Sequence, residues 1–440
     1  MSLEAPTVAP LHAYRASLLN FTDDPAFQEN ACQFYQDGLL LVRAGRVEGL
    51  GDYAALQAGL PPDTVLHDYR GRIIAPGFID THLHYPQTDM IASPADGLLP
   101  WLEKYTFPTE RRFADAAYAS DVAQFFIEQL LRCGTTTAMV YCTVHPASVD
   151  ALFAASAQRN LRMVAGRVMM DRHCPEFLRD SAEQSALESE ALIQRWHGHG
   201  RQLYAITPRF APTSSPAQLQ LAGELARAYP DVYVQSHVAE NTDEVAWVKS
   251  LFPAARSYLD VYDGYGLLRE RAVYGHCIWL DAEDRQRMAQ TGAAMAVCPT
   301  SNLFLGSGLF DFRLADAHQV LLSLASDVGG GTSFSMLQTM NEAHKVARLT
   351  GVHLSATRMF YLATLGAARC MQLEGTIGHF ARGTDADFIV LDPAATPLLA
   401  RRSARCESVE EQLFVLAMLG DDRAVAATFA AGVEVYKRAA

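Results

Sequence analysis

The chain has 440 residues, half of them hydrophobic and 19% charged, with a net charge of −13 at neutral pH. This describes a folded globular protein and excludes a disordered one, and the acidic balance argues against nucleic acid or an anionic membrane as partner, since both need a basic patch. Eight scattered cysteines without a Cys-x-x-Cys pair, no apolar run long enough to span a membrane, and no secretion signal in Met1 to Pro10 together predict a reduced, cytoplasmic protein.

From residue 1 to 70, short extended runs at Gly38 to Val42 and Arg46 to Leu50 are parted by Ala44-Gly45 and closed by Gly51-Asp52, which predicts hairpin β structure. From 71 to 369, apolar strand-like runs alternate with helical stretches. The runs are Ile73 to Asp80, Thr135 to Thr143, Arg162 to Met170 and Leu203 to Pro208, then Val232 to His237, Ala272 to His276, Ala293 to Cys298 and Val320 to Ser326. Ala117 to Arg132, Ser181 to Trp196 and Ala217 to Tyr229 carry apolar residues at three- and four-residue spacing, as amphipathic helices do. From 370 to 440, strand patterns return at Asp387 to Leu391, Ala424 to Ala430 and Val433 to Tyr436. The two ends are therefore expected to build one small β-sandwich domain beside the central unit. Eight near-continuous apolar strands with helices between them imply a parallel sheet, here an α/β protein with a (β/α)8 TIM-type barrel whose chemistry lies at the C-terminal strand ends. A doubly wound open sheet is the rival, but the Gly-x-Gly-x-x-Gly turn it usually carries is absent.

The first barrel run delivers His82 and His84. Residues two apart on an extended strand share a face, so both imidazoles can converge on one metal ion; a solvated strand end is the bland alternative. The fifth run ends in His237, followed by Glu240; the sixth ends in His276; the eighth runs apolar to Asp327, ahead of Gly329 to Gly331. Each alone reads as a loop or capping residue. Jointly that explanation fails, because four of only 14 histidines fall at three strand ends on the face where a barrel holds its chemistry. Glu240 lies three positions beyond His237 and would face the opposite side of a regular strand, so the chain is expected to leave the strand between them.

The order His-x-His, His, His, Asp on runs one, five, six and eight resembles the amidohydrolase superfamily. Within it, His84-Tyr-Pro-Gln87, Trp101-Leu-Glu-Lys-Tyr-Thr-Phe-Pro108, Gly134-Thr-Thr-Thr-Ala138 and Pro208-Arg-Phe210 resemble the guanine deaminases. So do Ser236-His-Val-Ala-Glu-Asn241, Cys298-Pro-Thr-Ser-Asn302 and Ser326-Asp-Val-Gly-Gly330, while Gly375-Thr-Ile-Gly378 and Gly383-Thr-Asp-Ala-Asp-Phe388 resemble the superfamily's returning β segment.

The resemblance implies a metal-dependent aminohydrolase that attacks C2 of guanine with metal-activated hydroxide, giving xanthine and ammonia. His82, His84, His237 and Asp327 would hold Zn²⁺, with Fe²⁺ as the alternative, and His276 would stand beside the reacting centre. Glu240 and Asp327 would move protons. Superfamily members with two metals commonly bridge them with a lysine on strand four; no lysine occurs between Lys104 and Lys249, so one ion per subunit is expected. Arg209 matches the O6 and N7 acceptors of guanine, Phe210 can stack on the purine and Gln87 can hydrogen-bond a ring edge. Bulk at Trp101, Tyr105 and Phe107 is expected to wall off a pocket sized for a free purine base. The family also suggests a homodimer. The competing substrates within the superfamily are 8-oxoguanine, an aminotriazine or an adenosine-like nucleoside.

Overall fold

The run that begins at Ile73 divides at Gly77. Upstream, Val65–Pro76 pairs with Leu11–Phe21 on one side and Phe388–Leu391 on the other; downstream, Phe78–His84 opens a second sheet. A Cβ at Gly77 would stand 2.2 Å from the Thr136 hydroxyl, so the chain passes between sheets only without a side chain there. This corrects the single strand expected over Ile73 to Asp80. Both halves are buried and apolar, and periodicity alone cannot mark the sheet change. The computed structural model describes residues 9–94 and 96–439; the first eight residues, on which part of the secretion reading rests, lie outside it.

The second sheet is the barrel. Its strands are Phe78–His84, Thr135–Tyr141, Arg162–Gly166, Gln202–Pro208, Tyr233–Val238, Ala272–His276, Ala294–Val297 and Leu321–Leu324, paired in parallel in chain order. Strands eight and one close the ring through the segment beyond Leu324. The Asp327 amide donates to the His82 carbonyl at 2.9 Å, the His84 amide donates to the Val328 carbonyl at 2.6 Å, and the hydroxyls of Thr81 and Ser323 meet at 2.7 Å. Closure therefore presses the residue after strand eight against the two histidines of strand one.

Inside, Ile79, Met139, Val164, Tyr233, Val273 and Ala296 fill the barrel below its C-terminal rim. Outside, the helices begin where their caps predict. Asp115 accepts the amides of Ala117 and Tyr118 ahead of Ala116–Arg132, and Ser181 and Ser215 cap Ala182–Trp196 and Pro216–Ala228. In the first of these, Ala119, Val122, Ala123, Phe126, Ile127 and Leu130 are buried, one stripe at helical spacing.

Both chain ends supply the other sheet. Its order is Val433–Lys437, Val425–Ala430, Phe388–Leu391, Val65–Pro76, Leu11–Phe21, Cys32–Arg43, Arg46–Asp52. The sheet is strongly rolled. The rings of Tyr14 and Phe429 lie 5.4 Å apart although their strands are three places apart in the order, where a flat sheet would separate the strands by roughly 14 Å. Gly45 and Val47, at the hairpin edge, exchange backbone hydrogen bonds with Gly383, Thr384 and Ala386 ahead of Phe388. The two-faced packing expected of a sandwich thus comes from one sheet folded over Leu18, Leu40, Ile74, Phe388 and Phe429. The hairpin turns at Ala44 and Gly45, both with positive φ, as a tight turn between twisted strands requires.

Candidate active site

Four strand ends converge at the barrel rim. His84 Nε2 lies 3.1 Å from His237 Nε2, and Asp327 Oδ1 lies 3.4 Å from His84 Nε2 and 3.5 Å from His82 Nε2. His237 Nδ1 donates to the Arg209 carbonyl at 2.6 Å, which leaves the Nε2 lone pair facing the cluster. His82 Nε2, which faces Asp327, is buried without any hydrogen-bond partner. Unpaired buried polar atoms are costly, and a divalent cation among these donors removes that cost. Separations near 3.4 Å are the edges of a tetrahedron around an ion with bonds of ~2.0–2.2 Å. Burial also lowers the pKa of His82, His84 and His237, holding the rings in the neutral form that binds metals. The donor set fits a divalent ion.

The chain bends sharply where it presents these groups. Ala239, His276 and Asp327 have φ of 49°, 70° and 50°, so strand six ends in a left-handed residue that is not glycine and strands five and eight are followed by one. Such strain persists where surrounding structure over-determines it, and here it aims side chains into one space. His276 donates from Nδ1 to Asn302 Oδ1 at 2.8 Å, and its Nε2, with no hydrogen-bond partner, stands 3.4 Å from Glu240 Oε2 and 3.8 Å from Asp327 Oδ2.

The turn at Ala239 takes Glu240 off the strand. Ser307 donates to Glu240 Oε1 at 2.8 Å, while the amides of Glu240 and Asn241 donate to Glu244 Oε2 at 3.0 and 3.2 Å. Glu244 accepts a further bond from the Tyr258 hydroxyl at 2.7 Å and forms a capping box with Asn241 at the start of Thr242–Leu251. Burial, aided by the charge of Asp327, pushes the Glu240 carboxyl up to about 8.

A cavity of about 420 Å³ lies above the cluster. His84, His237, His276, Asp327 and Glu240 form one wall; Gln87, Arg209, Phe210, Trp101 and Leu102 form the other. Arg209 is 2% exposed, and its Nη1 donates to both oxygens of Glu110, itself 0% exposed, at 2.9 and 2.8 Å. Gln87 Oε1 accepts the Gly329 amide at 3.2 Å, and its Nε2 reaches Glu110 at 3.4 Å. Glu110 arrives on a continuous helical path through Leu98–Trp101, a π-helical turn at Leu102–Thr106, and Phe107–Glu110. Of the three aromatics expected to wall the pocket, only Trp101 lines it, together with Leu98 and Leu102. Tyr105 is half-buried nearby and Phe107 packs beneath the Arg209 guanidinium at 5.5 Å, because the π turn rotates both off the cavity face.

Glu110, Glu244, Asn302 and Ser307 were not picked out from sequence. Asn302 closes the Cys298 to Asn302 motif, and Glu244 stands at capping-box spacing from Asn241; Glu110 reads as a solvated helical carboxylate. Gly275 has a measurable part in the cluster, since a Cβ there would come within 2.4 Å of His82 Cε1. Gly275→Ala is expected to displace the His82 ring and weaken metal binding by ~10–100-fold, the range for losing a ligand's support; competition with a chromophoric chelator measures it, and unchanged affinity would show that the ring can yield.

The model of the amidohydrolase family matches residues 73–435. The guanine deaminase of Escherichia coli strain K12 is 50% identical over 431 residues, covering 97% of this chain and 98% of its own. The crystal structure of guanine deaminase from Bradyrhizobium japonicum superposes with a TM-score of 0.94 at 35% identity, over 98% of this chain and 100% of that one. A guanine deaminase from C. acetobutylicum, solved with guanine bound in its active site, gives a TM-score of 0.87 at 28% identity, over 97% and 100% of the two chains.

Proposed function

The chain belongs to the amidohydrolase family, and from that premise we propose how its residues carry out the hydrolytic deamination of guanine. The activity is that of a guanine deaminase, a hydrolase acting on the C–N bond of a cyclic amidine. Water adds at C2, the bond from C2 to the exocyclic nitrogen breaks, and xanthine and ammonia leave. One observation carries the assignment of roles: the metal-competent residues line one cavity together with an arginine- and glutamine-bearing wall.

His82, His84, His237 and Asp327 would hold one divalent ion, zinc with Fe²⁺ as the alternative. When bound, that ion supplies acidity to a water molecule, lowering its pKa toward ~7. Strand four, Gln202–Pro208, has no lysine to bridge a second ion. Metal analysis of purified protein should therefore return one tightly held ion per chain; two would overturn this.

The other steps belong to side chains. Asn302 Oδ1 can only accept, so the His276 Nδ1 keeps its proton and Nε2 is offered to the reacting centre as an acceptor. Glu240, whose burial favours the protonated form, transfers a proton to the ring nitrogen beside C2 as the tetrahedral carbon forms and takes one back from the C2 hydroxyl as the C–N bond breaks. Asp327 takes a proton from the attacking water and returns it to the departing amine. Glu110 engages only Nη1 of Arg209, which leaves the remaining guanidinium N–H groups for O6 and N7. Adenine carries a donor at its six position and meets that fork badly. Phe210 packs on the base, and Gln87, tied to Gly329 and Glu110, fixes a ring edge. Trp101, Leu98 and Leu102 leave the space to a free base instead of a nucleoside.

Among the described residues no helix is long and apolar enough to cross a membrane. The cytoplasmic homodimer suggested by the family resemblance is checked by light scattering on purified protein and fractionation of cells. Ammonia release from guanine, 8-oxoguanine, adenine, guanosine, cytosine and ammeline tests the substrate reading. Guanine should give the highest kcat/KM by at least an order of magnitude, since each lost or mismatched hydrogen bond to a buried polar group costs ~1–3 kcal/mol. Faster turnover of 8-oxoguanine or ammeline would reassign the second wall of the cavity.

A further inference from the structure

The donor atoms at the barrel rim form two sets. The ring nitrogens of His82, His84 and His237 lie within 4.8 Å of one another, and so do donor atoms of His82, His276, Cys298 and Asp327, all four of them buried. The second set draws on the ends of strands one, six and eight and on the residue that follows strand seven, Ala294–Val297. Asp327 divides its oxygens between the sets. Oδ1 faces His82 and His84 at 3.5 and 3.4 Å, whereas Oδ2 faces His276 Nε2 at 3.8 Å.

The atoms of this second set are poorly satisfied. His82 Nε2 and His276 Nε2 are buried with no hydrogen-bond partner. The Cys298 thiol makes a long contact to the Ala296 carbonyl at 3.4 Å, and otherwise packs in the apolar barrel interior with Ile79, Ala296 and Ala325. Sulfur therefore forms the floor of the site, where the polar rim meets the apolar core.

We propose that His82, His276, Cys298 and Asp327 form a second, sulfur-bearing position for a divalent metal ion, selected by thiophilic ions such as cadmium. It overlaps the position on His82, His84, His237 and Asp327, and rests on the reading of His82 and Asp327 as ligands there. Because those two residues are shared, the positions exclude one another, and the softness of the ion decides between them. Thiolate ligands favour soft ions, while imidazole with carboxylate suits borderline ones. Coordination displaces the thiol proton to solvent, and nothing is oxidised or reduced. An ion at this second position also takes up His276 Nε2, the nitrogen that the deamination reading leaves open.

The test is a titration of metal-free, full-length protein with cadmium chloride, followed by near-ultraviolet absorbance and by cadmium NMR. A thiolate-to-cadmium charge-transfer band should grow to saturation at one equivalent, with the NMR shift of an ion bearing one sulfur. Both signatures should vanish in Cys298→Ser, and in Cys298→Ala if the serine hydroxyl disturbs the core, while either variant still binds one zinc per chain. An undiminished band in the folded variants would assign the sulfur to another cysteine and overturn the proposal. So would one equivalent of cadmium bound to the parent without a band. Parent protein that binds cadmium with the band but no zinc would retain the second position and sink the first. Parent that binds neither ion would remove both.

Discussion

Glu240→Gln should lower kcat by ~10²–10⁴-fold, the usual contribution of a positioned general acid or base, while the protein keeps its metal. The amide retains the shape of the carboxylate and can still accept the Ser307 hydroxyl now 2.8 Å from Oε1, but it cannot carry the transferred proton. Stability should move the other way. A carboxyl whose pKa rises from 4.5 to about 8 on burial is one that the fold prefers neutral. The folded state then binds more protons than the unfolded chain, so this group costs stability as pH climbs from the unfolded value through the folded one. Glutamine removes that cost. Metal-free Glu240→Gln should accordingly melt at or above the parent temperature at pH 8, with the difference fading toward pH 4. Activity within a few-fold of the parent would remove Glu240 from proton transfer, and a variant that loses both activity and melting temperature would point to a structural role instead.

The legible part of this site was the part whose chemistry demands few residue types at fixed places. Few residue types can ligate a metal, and a parallel barrel puts its strand ends together, so His82, His84, His237, His276 and Asp327 could be read from their places at the ends of the apolar runs. The turn that frees Glu240 was legible for the same reason: alternation on a strand forbids residues three apart from sharing a face, and the chain resolves this at Ala239 with φ of 49°. What stayed hidden depended on contacts across long stretches of chain. Glu110 and Arg209 are separated by 99 positions, and a π turn sets which way the helix carrying Glu110 faces. Hydrophobic patterning reports burial, not which sheet buries a residue, so the division at Gly77 was invisible as well. The roll of the terminal sheet belongs to the same class, since it is held by backbone bonds between Gly45 or Val47 and residues near 384.

That hidden contact changes what Arg209 should do when removed. If Arg209 were a substrate contact alone, Arg209→Ala would raise KM and leave folding undisturbed. With Glu110 fully buried against it, the alanine variant leaves a carboxylate without its cation, and breaking one side of a buried pair typically costs ~3–5 kcal/mol. Both quantities should therefore change together: a large loss of melting temperature, and a KM for guanine raised about 5- to 150-fold, the equivalent of the ~1–3 kcal/mol in a bidentate contact to a purine edge. The single variant cannot separate them. Arg209→Met combined with Glu110→Gln can, because it removes both charges and leaves no uncompensated ion in the wall. Replacing a buried pair by neutral side chains of similar size is often close to neutral for stability, so the double variant should recover most of the melting temperature. Its KM should stay high, since the donors for O6 and N7 are still missing. Recovery of stability together with an unchanged KM would take Arg209 off the substrate edge and leave it as the counter-ion of Glu110. Recovery of neither would mean that the pair also holds Gln87, 3.4 Å from Glu110, and with it the turn that follows His84.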